Sequence, residues 1–110
     1  MSVRAYVPAT PDLLADYLAA QAVPVDADPI TAEDESEEAE YAALMTAADL
    51  SAARIVGLAD GLRRRVVVVL EQGGTRILAV HADPVDDADA DDDLAWYASQ
   101  ELDSLLSGIV

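Results

Sequence analysis

The chain contains no cysteine, no lysine and no phenylalanine, and only one histidine and one tryptophan. Without cysteine, disulfides and thiolate metal sites are excluded, and the redox compartment is left open. Without phenylalanine, the core has to be aliphatic, with Trp96 and four tyrosines as the only aromatic side chains. Long apolar runs are missing too: Val66 to Leu70 falls far short of the roughly 20 residues that a membrane-spanning helix needs. Met1-Ser2-Val3-Arg4 lacks the basic start and apolar stretch of a signal peptide, so no membrane association and a cytoplasmic location are expected.

Positive charge is scarce. Six arginines stand against 22 acidic residues, a net charge of −16 on 110 residues. Such a surface repels phosphate backbones, because nucleic-acid affinity comes largely from Lys and Arg displacing counterions, so no direct nucleic-acid partner is expected. It attracts basic protein surfaces instead. Missing lysine beside abundant Ala, Val, Asp and Arg fits a GC-rich genome or a salt-adapted organism, either of which makes part of the charge inherited. With 53% apolar residues the chain is no disordered acidic tail. Its length suits one domain over residues 1–110, with a single core.

Val3 to Val7 reads as a short strand ended by Pro8-Ala9. Thr10 is a good N-cap with Pro11 at the first helical position, and the helix that follows puts Leu14, Tyr17 and Leu18 on one side, stopping near Gln21. Residues 22–35, with Pro24 and Pro29, read as an acidic surface connection with a brief extended piece at Ile30. A long helix follows, capped by Ser36 or by Thr31 with Asp34 three residues on. At helical spacing its apolar face is Tyr41, Leu44, Met45, Ala48, Ala52, Ile55, Val56 and Ala59. Three alanines in that stripe argue against a coiled-coil seam. Asp60-Gly61 stops the helix, and Arg63 to Arg65 complement its dipole.

Val66 to Leu70 is a continuous β-branched run, which predicts a central strand covered on both faces. Gly73-Gly74 offers a hairpin turn, with Thr75 to Ala82 as the returning strand. Residues 83–93 are a second acidic surface connection. Asp91 to Asp93 then open a final helix with Leu94, Ala98, Leu102, Leu105 and Ile109 as its stripe. The expected fold is α/β (or α+β): a single layered β-α-α-β-β-α domain, with helices packed on a small mixed sheet.

Five stretches carry a family likeness: Arg4-Ala-Tyr-Val-Pro-Ala-Thr10, Glu40-Tyr-Ala-Ala-Leu44, Arg64-Arg-Val-Val-Val-Val69, Ala79-Val-His-Ala-Asp83 and Trp96-Tyr-Ala-Ser-Gln-Glu-Leu102. In that order they resemble a family of small actinobacterial proteins of unknown function. The likeness spans most of the chain, although the connection after the first helix and the Gly73-Gly74 turn look trimmed. It implies a shared fold. It assigns no catalytic residue, because the family has no established activity.

Trp96 is the most informative position. On the expected final helix it falls about 160° from the centre of the apolar stripe, beside Gln100 and Asp103. An indole there suggests a partner contact, since Trp is favoured in interface hot spots. The plain alternative is that another segment folds over it. Glu101 lies near the stripe instead, one turn after Tyr97, and needs a partner such as Arg4, Arg64 or Arg65. His81 has Asp83 two residues on, as a general base with an orienting carboxylate would, although a lone strand-end histidine is more simply structural. Arg4, His81, Tyr97 and Glu101 together make up one candidate pocket.

Other chemistry finds no support. No G-x-S-x-G elbow, Walker or G-x-G-x-x-G motif occurs. An EF-hand starting at Asp87 would place Asp92 at the glycine position and Ala98 at the bidentate glutamate, so Asp86 to Asp93 form no dedicated metal site. No cofactor is expected. The leading reading is a non-enzymatic acidic interaction or regulatory domain that binds a basic protein partner, with Trp96 as its anchor. The alternatives are a small enzyme built around Glu101, Tyr97 and His81, and a nucleic-acid mimic that occupies a DNA- or RNA-binding protein.

Overall fold

The computed structural model describes residues 3–24, 27–56, 64–71, 74, 76–84, 89 and 92–102. Strand β1 (Arg4–Ala9) leads directly into helix α1 (Pro11–Ala20). The Thr10 hydroxyl accepts the Leu13 N–H at 3.2 Å, and Pro11 takes the position where a missing N–H does no harm. Gln21 closes the helix in the left-handed conformation, at φ 58°. Leu14 and Tyr17 are buried and Leu18 packs partly against them.

Strand β2 (Ile30–Thr31) follows, then helix α2 (Glu37–Val56). Ser36 caps α2: its hydroxyl accepts the Ala39 N–H at 3.2 Å, while its own N–H donates to Asp34 at 2.7 Å. The segment 22–35 is more than a surface connection, since Val23, Ala27 and Ala32 are buried within it. Strands β3 (Val66–Glu71), β4 (Ala79–Ala82) and β5 (Ala95–Ala98) complete a five-stranded sheet of order β2-β1-β3-β4-β5.

The layered α/β arrangement is present, but the sheet is antiparallel throughout rather than mixed. The chain paths explain this. Glu40 of α2 pairs with Arg4 at the start of β1, and Ser51 further along α2 reaches Ala9 at its end. Helix α2 therefore runs alongside β1 in the same direction, and the chain must turn back to enter β3 against it.

As its β-branched run predicts, β3 is central and buried on both faces. Val66, Val68 and Leu70 join Ala5, Val7, Leu14, Tyr17 and Val80 on the α1 side. Val67 and Val69 join Tyr6, Ala43, Ala47 and Ala48 on the α2 side. The buried face of α2 is Ala43, Ala47, Ala48, Ser51 and Ile55, whereas Tyr41 and Val56 are 55% and 76% exposed. The helix is thus rolled by about 80° from the face its large apolar residues indicate. At the middle of the helix the small side chains of Ala43, Ala47 and Ala48 pack against a sheet surface already filled by Val67, Val69 and Tyr6. The roll also brings the Ser51 hydroxyl within 2.7 Å of the Ala9 carbonyl and 2.9 Å of the Val66 N–H, joining the end of β1 to the start of β3.

Two expectations are corrected here. The β3–β4 connection is longer than a two-residue turn: β4 begins only at Ala79, opposite Val69. Gly74 donates to the Glu71 carbonyl at 2.9 Å, in a turn where an added Cβ would lie 3.2 Å from that oxygen; Gly73 and Thr75 lie outside the described residues. The expected final helix is, over Ala95–Ala98, a strand paired with β4, followed by a single 3₁₀ turn at Ser99–Glu101. Cross-strand pairing of Trp96 and Tyr97 overrides the helical spacing. Leu105 and Ile109 lie outside the described residues, as do Ala59 to Arg63.

Candidate functional site

Strand alternation decides where the aromatic residues of β5 point. Trp96 stands opposite His81, and His81 opposite Val67, so the three form a row across the α2 side of the sheet. Helix α2 packs chiefly over β1, β2 and β3. The row therefore passes from buried Val67, through partly buried His81, to Trp96, which is 58% exposed. Leu94 lies partly buried beside it, and exposed Asp92 and Asp93 immediately precede β5. On α2, Ala39, Ala42 and Thr46 flank β2, which puts Tyr41 on the opposite flank, toward the uncovered strands. An exposed indole on a sheet surface, a few residues after two exposed aspartates, is the most distinctive surface feature among the described residues.

The connection leading into β5 is held by a buried ion pair. The Arg65 Nε and Nη2 donate to the two carboxylate oxygens of Asp83 at 2.9 and 2.8 Å, and the Arg65 N–H adds a third bond to Asp83 at 2.9 Å. The Asp83 N–H donates back to the Arg65 carbonyl at 3.1 Å. Nη2 also donates to the carbonyls of Asp89 and Asp92 at 3.1 and 2.8 Å. Both side chains are almost wholly buried, and among the described residues no buried side-chain polar atom lacks a partner. Arg65 thus fastens the loop that delivers Trp96. The segment 83–93 begins with an anchored residue rather than a solvated one.

The four residues of the candidate pocket do not converge. Arg4 shares the α2 side with His81 but pairs with Glu40 at 3.8 Å. Tyr97 stands opposite Val80 and packs into the α1-side core, on the other face of the sheet from His81. Glu101 is exposed and accepts the Ala98 N–H at 3.1 Å. The carboxylate thus reaches back to the residue that precedes the Ser99–Glu101 turn, as the glutamate of a capping box does. The expected pairing of Glu101 with Arg4 or Arg65 is replaced by this bond. Burial, and secondarily the positive charge of Arg4, hold the His81 pKa below its ordinary 6.5. His81 is separated from Asp83 by the pairing of Asp83 with Arg65. Gln100 is exposed in the 3₁₀ turn, and Asp103 lies outside the described residues. Among the described residues no three His, Cys, Asp or Glu side chains are grouped to hold a metal ion, and no helix is long and apolar enough to cross a membrane.

The signal that sequence reading missed is the Arg65–Asp83 pair. It joins residues 18 apart, one from a basic triplet and one from an acidic run, and neither looks buried by composition.

A model of a family of unknown function, DUF6912, matches residues 3–88. The chain belongs to this family. The matched stretch holds β1 to β4, both helices, Arg65 and Asp83; β5 with Trp96 follows it. No curated protein and no solved structure matches the chain.

Proposed function

We propose that this member of the family is a non-enzymatic docking domain of the cytoplasm that binds a basic protein surface through the sheet face at Trp96. The observation that carries this reading is the 58% exposure of the chain's only indole, on a strand held in place by the Arg65 knot. Trp is costly to leave in water and favoured at interface centres, where it supplies large apolar area at little entropy cost. Asp92, Asp93 and the net charge of −16 set the sign of the partner. Charge of that size steers encounter and makes binding depend on salt. An enzymatic reading loses its support, because His81 and Tyr97 lie on opposite faces of the sheet.

The test is affinity purification of the tagged protein from its native lysate, wild type beside Trp96→Ala, at low and moderate salt. A basic protein retained by the wild type, and released by the substitution and by salt, is the expected result. Capture that is indifferent to both would overturn the reading, as would recovery of the protein alone in every lane.

A further inference from the structure

A second surface stands apart from Trp96, at the opposite edge of the sheet. Strand β2 is the outermost strand there, and no described residue pairs with its outer side. The Ala32 N–H donates inward to the Arg4 carbonyl at 3.0 Å. Antiparallel alternation therefore turns the N–H and C=O of Thr31 outward, and Thr31 is exposed. Beside this edge lies a groove of about 410 Å³ between β2 and the first half of α2. Its floor is Ile30, Ala32, Ala39, Ala42 and Ala43, and larger side chains at the three helix alanines would fill it. Glu33, Asp34 and Glu38 stand at its rim. Asp34 is committed to Ser36, whose hydroxyl and then its N–H lower the Asp34 pKa, while the same hydroxyl accepts the Ala39 N–H at the helix start. Glu33 and Glu38 are exposed and make no ion pair with any described residue.

We propose that the open edge of β2 and this groove are a docking site for an extended peptide segment with arginine or lysine at alternate positions, bound by strand addition. In this mode main-chain bonds to the edge supply affinity, and pockets for every second side chain supply selectivity. An arginine or lysine matches the groove along its length: its aliphatic stem lies on the alanine floor while its charged head reaches Glu33 and Glu38. The alternation follows from the period of the added strand, which turns every second side chain toward α2. A second copy of the chain is a poor occupant, because it brings the same negative charge. From the proposed function this site takes only the sign of the partner's charge; it is independent of Trp96.

The probes are two synthetic strand peptides, one alternating valine and arginine and one alternating valine and glutamate, titrated into the isotope-labelled full chain and followed by amide NMR. The valine–arginine peptide is expected to shift residues 30–46 and to slow exchange of the Thr31 amide; the glutamate peptide does neither. Thr31→Pro removes only an outward N–H, which an edge strand tolerates. With the fold verified by circular dichroism, it is expected to weaken binding by about two- to tenfold, in line with the loss of one main-chain bond. Glu33→Gln with Glu38→Gln, which leaves the backbone edge intact, weakens it as well. Trp96→Ala leaves peptide binding unchanged, so this site and the Trp96 face stand or fall separately. Shifts spread over the whole acidic surface, equal binding by Thr31→Pro, or no binding at millimolar peptide would each overturn the proposal.

Discussion

Arg65 shows how one cation can matter in a chain with so few. Its guanidinium satisfies a buried carboxylate and two carbonyls of the loop that leads into β5. Breaking a buried pair leaves an uncompensated charge, whereas removing both partners is far milder. Arg65→Met or Asp83→Ala is therefore expected to cost about 3–5 kcal/mol in urea unfolding, and Arg65→Met with Asp83→Leu clearly less than the sum. Additive losses would mean that the two side chains act separately. His81 gives a pH prediction. Its folded pKa lies below 6.5, so the unfolded chain takes up the proton first as pH falls. The stabilisation is complete above the unfolded pKa and is lost as pH drops from there toward the folded one. Between pH of about 7.5 and 5.5, the wild type should lose more stability than His81→Gln. Parallel unfolding curves would show that His81 is as well solvated as in the open chain.

At the scale of elements, α2 and β5 depart most from their sequence patterns. Helix α2 leaves Tyr41, Leu50 and Val56 exposed, and its contact face is largely alanine. The close approach this permits makes the interface intolerant of volume. Ala47→Leu, at a fully buried position, is expected to cost about 1–3 kcal/mol by overpacking, measured as a lower denaturation midpoint with little change in slope. Strand β5 illustrates the limit of periodicity. Leu94, Ala98 and Leu102 recur at helical spacing, yet Trp96 and Tyr97 have strong strand preferences, and an unpaired β4 edge was available to them. Where local signals agree, as with Thr10-Pro11 opening α1 or Ser36 opening α2, the element was legible from sequence. Where two patterns competed, the pairing partner decided, and β4 lies more than a dozen residues upstream.

Across the whole molecule, like charges repel. Twenty-two acidic residues against six arginines push the folded surface apart, and the described surface ion pairs, Arg4–Glu40 and Arg54–Asp28, are long and exposed enough to contribute little. Added salt screens exposed charges beyond a Debye length of about 10 Å at 0.1 M. The melting temperature is expected to rise from low salt to about 0.5 M NaCl, while the buried Arg65–Asp83 pair is hardly affected. A melting temperature independent of salt would mean that the acids are spaced widely enough not to interact.

By itself, the sequence determined the charge of the surface, the aliphatic core, the Thr10 cap of α1, a choice of Ser36 or Thr31 for α2, and the central place of Val66–Leu70. Each of these follows from composition or from residues within a turn of one another. Only the tertiary structure decided which face of α2 is buried, that Ala95–Ala98 is a strand, and that Tyr97 and His81 are separated by the sheet. It alone brought Arg65 to Asp83 and set the β2 edge beside a floor of alanines. Those outcomes depend on which segments meet across the chain, and the free energy of such meetings resides in the packed pair rather than in either segment alone.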